Sequence, residues 1–161
     1  QNAGSDTTTF TGRLNTNTAA GINVTGTNLV FNGGITTTNA GPVTASLSAT
    51  ALIGPSTTSS ISGPVTINSV GSITVASSAS VAVSNTVLLK TTADSITFQD
   101  SAQLTGSSGN VVLEAEDNIS LAGGSTIAVT SGELILRSGL SSTDGVGSMT
   151  LDGTLQAVTA G

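Results

Sequence analysis

A pair of apolar residues with one residue between them returns along this chain at a nearly fixed interval. The pairs are Ile22/Val24, Val43/Ala45, Val65/Ile67, Val87/Leu89, Val111/Leu113 and Leu134/Leu136. Their first members lie 21 to 24 residues apart. A second set follows within each interval at Leu29/Phe31, Ile73/Val75, Ile96/Phe98, Ile119/Leu121 and Met149/Leu151, and in the second interval its counterpart falls around Ala51 to Ile53. A third and weaker set comprises Ile35, Ile61, Val81/Val83, Leu104, Ile127/Val129 and Leu155. A fixed period of this length is the signature of a repeat architecture.

Alternation of period two marks strands, and no useful stretch carries apolar residues at helical spacing. Three short strands in every interval cannot bury an apolar face alone, but stacked intervals build a continuous core. The expected fold is therefore all-β: a right-handed parallel β-helix (β-solenoid), with three short strands and about 22–24 residues per coil. Each strand is one side of a triangular coil and pairs with its equivalent one coil away, about 4.8 Å along the axis. Glycine and asparagine between the strands suit sharp corners. Residues 1–161 read as one solenoid, with an irregular start over 1–21 and repeating coils over 22–155.

Stacking also predicts which side chains meet. The residues after the first strand of three successive coils are Lys90, Glu114 and Arg137, a column alternating in sign. On the second strand the outward column reads Thr74, Thr97, Ser120 and Thr150, a hydroxyl ladder. Flat threonine arrays that bind ice need two regular columns, and only one is apparent, so an exposed pleated surface is the plainer reading. Between the inward residues of the first strand stand Leu88, Val112 and Ile135, which makes both faces apolar over three coils. Such a stripe calls for a cover. The cover is either a partner chain or the chain's own TTTFTGRL or GTLQAVTAG stretch; an exposed stripe without a role is the third alternative.

The segment from about 63 to 139 resembles the repeats of filamentous-haemagglutinin-type exoproteins, secreted β-helical proteins of bacterial surfaces. The likeness rests on GNVVLEAEDNISLAGGSTIAVTSG and GPVTINSVGSITV, in which G-x-[IV]-x-[VL] recurs at coil spacing. That resemblance implies a right-handed helix, an extracellular location, and a role in adhesion or fibre building. The NPNL- and NPNG-type motifs of that family's secretion domain are absent, which would make this chain shaft.

Composition narrows the function further. A net charge of −6 with three basic residues argues against nucleic acid and against an anionic membrane surface. No apolar run is long enough to span a bilayer as a helix. With no His and no Cys, imidazole acid–base catalysis and thiol nucleophiles are excluded. Asp94 and Asp117 share a column, with Glu116 beside the latter; three roles stay open there, a catalytic pair, a Ca²⁺ site, and solvated corner residues. No cofactor is expected. Asn23-Val24-Thr25 and Asn118-Ile119-Ser120 are N-glycosylation sequons. The chain begins without an initiator Met or a signal peptide, which suits a processed or excised segment.

The expected function is a non-catalytic extracellular fibre or adhesin shaft. Its partners would be copies of itself or further repeats of one parent chain. A carbohydrate- or surface-binding module, taking host or surface glycans on the hydroxyl column, is the alternative. A polysaccharide-degrading enzyme is the remote one.

Overall fold

A computed structural model describes residues 6–140 and 147–158. Strands β1 (Thr7–Phe10), β2 (Leu14–Thr16) and β3 (Ile22–Gly26) form the first coil. Next come β4 (Asn28–Phe31), β5 (Ile35–Thr37) and β6 (Val43–Leu47), then β7 (Ala51–Ile53), β8 (Thr58–Ile61) and β9 (Val65–Ser69). The fourth coil is β10 (Ile73–Val75), β11 (Ser80–Val83) and β12 (Val87–Thr91); the fifth is β13 (Ile96–Phe98), β14 (Gln103–Gly106) and β15 (Val111–Glu114). The sixth is β16 (Ile119–Leu121), β17 (Thr126–Val129) and β18 (Leu134–Arg137), and β19 (Met149–Leu151) and β20 (Thr154–Ala157) follow.

Every third strand joins the same sheet, so the chain winds as a parallel β-solenoid. Sheet 1 runs β1-β4-β7-β10-β13-β16-β19, sheet 2 runs β2-β5-β8-β11-β14-β17-β20, and sheet 3 runs β3-β6-β9-β12-β15-β18. All the strand pairs between coils are parallel, as for Val87↔Val111↔Leu134 and Ile96↔Ile119↔Met149. The inward columns form a single core in which Phe98, Ile96, Leu113, Ile119 and Ile127 are fully buried.

The stacking starts earlier than the 1–21 irregular start expected from the sequence. β1 pairs with β4 and β2 with β5, and Phe10 stacks on Phe31 with ring centroids 5.5 Å apart. The sequence TTTF hides this strand because threonine supplies β-branching without hydrophobicity. The last turn also departs from the period. Asn118 pairs with Ser148 across 30 positions, where Asn118 and Ser95 are separated by 23. Gly139 and Gly147 pack closely after β18: a Cβ added at Gly147 would lie 2.2 Å from the Cα of Gly139.

Sheet 2 contains a shift that the period conceals. Ile35 and Ile61 look equivalent in the sequence, but Thr37 pairs with Ile61, which sets Ile35 opposite Ser59. The side chain of Ser59 accepts a hydrogen bond from the Ile35 amide at 3.0 Å, in place of a backbone carbonyl. Serine here stands in the column of Val81, Leu104 and Ile127, and the missing volume leaves a cavity of about 20 Å³ beside Ile35, Ile53 and Val65.

Candidate functional site

The outer face of sheet 3 divides into two halves of different chemistry. In coils one to three the outward residues are Asn23/Thr25, Thr44/Ser46 and Thr66/Asn68. In coils four to six they are Leu88/Lys90, Val112/Glu114 and Ile135/Arg137. The expected charge column thus forms, and Glu114 sits in its centre. Lys90 Nζ donates to Glu114 Oε2 at 3.0 Å, and Arg137 Nη1 donates to Glu114 Oε1 at 2.7 Å. These hydrogen bonds, Lys90's first and then Arg137's, hold the Glu114 carboxyl below its ordinary pKa. The ammonium engaged in this way belongs to the only lysine in the sequence.

Leu88, Val112 and Ile135 do align as one column, and each is half-buried. Among the described residues neither stretch that the sequence suggested covers them. The TTTFTGRL stretch supplies β1 and β2 of sheets 1 and 2, and Thr154–Ala157 is β20 of sheet 2. Both belong to the stack, through β1↔β4, β2↔β5 and β17↔β20 pairing.

The hydroxyl column is present on sheet 1, where Thr74↔Thr97↔Ser120↔Thr150 pair in register. Among the described residues no hydrogen bond engages these four hydroxyls, so each offers a donor and an acceptor outward. It is bounded on the N-terminal side by Val30 and Leu52. A second polar column lies two residues earlier, at Ser72, Ser95, Asn118 and Ser148, and sequence reasoning passed over it because it precedes the strands. It is largely committed to the fold. Asn118 Oδ1 accepts from the Ser148 amide at 2.9 Å and from its hydroxyl at 2.7 Å, while Asn118 Nδ2 donates to Ser95 Oγ at 3.5 Å. The sequon at Asn118 therefore places its acceptor nitrogen inside a corner ladder, whereas Asn23 is exposed on sheet 3.

Asp94 and Asp117 stack on adjacent coils at one corner. Asp94 Oδ1 accepts from the next amide, Ser95 N, at 2.6 Å, and the backbone of Asp117 donates to the Asp94 carbonyl at 3.2 Å. Among the described residues no group of three or more acidic side chains is placed to hold a metal ion, Asp94, Glu116 and Asp117 included. What the surface offers chemically is a set of uncharged hydrogen-bonding groups at coil spacing and one short amphipathic patch. Compared with family models, curated proteins and solved structures, the chain matches none.

Proposed function

We propose that this chain is a non-catalytic structural element, a segment of an extracellular fibre or adhesin shaft whose work is done by coil stacking. The observation that carries this reading is the continuity of the core up to its last described strands. Met149 and Leu151 of β19 and Leu155 of β20 are 41%, 42% and 38% exposed, although the residues they stack on are fully buried. These rows extend the inward columns of Ile119, Leu121 and Ile127, so they present apolar core and strand edge together. A further coil, from the same parent chain or from another copy, satisfies both at once. Contact of that kind is head-to-tail and propagates as a filament.

Electron microscopy of the native material tests it. Long uniform fibres with an axial repeat of about 4.8 Å are expected. Short isolated particles would refute the shaft.

A carbohydrate- or surface-binding module is the second reading, supported by the unengaged hydroxyls of Thr74, Thr97, Ser120 and Thr150. Binding on a glycan array that is lost in Thr97→Val would favour it. A silent array would remove it.

A further inference from the structure

The corner that joins sheet 1 to sheet 2 is built the same way in successive coils. The residue after each sheet 1 strand donates its amide to the coil before: Asn32 N to Phe10 O, Gly54 N to Phe31 O, Ala122 N to Phe98 O, and Asp152 N to Leu121 O. In the second coil the next residue is Gly33, packed directly on the backbone of Gly12. A Cβ added at Gly33 would lie 2.1 Å from the Gly12 carbonyl carbon and 2.5 Å from the Arg13 nitrogen. Only glycine fits there. Gly34 follows with φ of 76°, a conformation that glycine adopts without strain. The fold thus imposes glycine after Asn32, and this is the one Asn-Gly pair in the sequence.

The surroundings leave the pair free to react. Asn32 is exposed, and its carboxamide lies across Gly54, where there is no side chain to lock it. Among the described residues neither that carboxamide nor the Gly33 amide nitrogen makes a hydrogen bond. Asn28, Asn110 and Asn118 differ on both counts. Asn28 Oδ1 accepts from Thr50 Oγ1 at 2.8 Å, Asn110 Oδ1 from Glu133 N at 3.0 Å, and Asn118 Oδ1 from Ser148. Each of these is followed by Leu29, Val111 or Ile119, which begins or continues a strand and whose branched side chain shields the amide nitrogen.

We propose that Asn32 is a site of spontaneous deamidation in the folded protein. The Gly33 nitrogen, on losing its proton, attacks Asn32 Cγ. The Cγ–N bond to the carboxamide nitrogen breaks and ammonia leaves, closing a five-membered succinimide. Water then adds to either carbonyl of the ring, giving aspartate or isoaspartate, with no oxidant or reductant involved. The product carries one more negative charge on a chain of net −6. Where isoaspartate forms, the main chain gains a carbon at the point where Gly33 packs against Gly12. The modification is therefore an irreversible mark of age at a fixed corner of the solenoid, and it loosens the stacking of the first coil on the second.

The test is to incubate the folded chain in mildly alkaline buffer beside the same chain held in urea, and to follow both by native electrophoresis and peptide mass spectrometry. The folded chain is expected to gain a one-charge shift that maps to Asn32, with isoaspartate there, at a rate close to that of the unfolded chain. Asn32→Gln should abolish the shift, because glutamine closes the larger ring slowly, while its circular dichroism matches the parent. Persistence of the Asn32 amide in the folded chain, while it is lost in urea, would overturn the proposal. So would conversion that appears first at another asparagine.

Discussion

Replacing Phe98 by alanine tests whether the molecule is held together coil by coil. Phe98 is the largest of the fully buried side chains, and it stands in the inward column between Val75 and Leu121. Truncating a buried phenylalanine costs roughly 3–5 kcal/mol, from lost transfer energy and the cavity left behind. At roughly 0.05–0.15 kcal/mol per residue, a chain of this length holds roughly 8–24 kcal/mol in all. The loss is therefore a sizeable share, and it falls on the two interfaces of one coil, since each coil bonds only to its immediate neighbours. In a stack of nearest-neighbour units, a weak central interface lets the two halves unfold separately. Urea titration followed by far-ultraviolet circular dichroism is the suitable assay, because the chain has no tryptophan or tyrosine to report by fluorescence. The expected result is a lower midpoint together with a shallower or two-step transition. Thr97→Ala, one residue away on the outer face, should move stability by less than about 0.5 kcal/mol. A loss below about 1 kcal/mol in Phe98→Ala, with an unchanged slope, would refute the reasoning.

Two further outcomes follow from particular side chains. The Glu114 carboxyl has a lowered pKa in the folded chain, so its contribution is fully present above the ordinary value of 4.5 and is lost as pH falls through the lowered one. Glu114→Gln should cost about 0.5–1 kcal/mol at neutral pH and low salt, less at high salt, and nothing in strong acid; thermal melts across pH would show the two curves converge on acidification. Val65→Ile should fill part of the cavity of about 20 Å³ beside Ser59. At about 24 cal/mol per Å³ it should raise stability by no more than roughly 0.5 kcal/mol in the same titration. A loss of stability there would show that the neighbouring side chains cannot accept the added methyl.

The period was legible because an inward column needs an apolar residue at each turn, and the alternation around Val87, Val111 and Leu134 shows it directly. Register was legible where long side chains must meet, and the Lys90–Glu114–Arg137 column follows from spacing alone. What escaped the sequence were the positions where polar side chains take over the role of backbone or core. Thr37 is 2% exposed, yet it sits in an inward column; its hydroxyl donates to the Gly41 carbonyl at 2.7 Å and accepts from Ser62 N at 3.1 Å. Thr91 does the same in the fourth coil, donating to the Asp94 carbonyl and accepting from Glu116 N. A threonine written at an inward position looks like an interruption of the hydrophobic pattern. In the folded chain it fastens one coil to the next across a corner, where the backbone has turned away from its ladder.

The same logic explains the corners. Glycine and asparagine were expected wherever the chain turns, but one corner of coils three to five places Ser56, Ser78 and Ser101 at φ of 55°, 59° and 60°, and only the sixth coil uses Gly124 there. A left-handed serine is costly in isolation. It persists because its neighbours determine the turn: the residue that follows, Thr57, Ala79 or Ala102, is buried, and the backbone of Ala79 and Ala102 bonds back across the turn to Ala76 and Gln99. The strain is local and the restraint comes from the stack, so a single coil excised from this chain would lose its corners before its strands. Stability here is a property of adjacency, and the proposed role as a shaft would draw on that property.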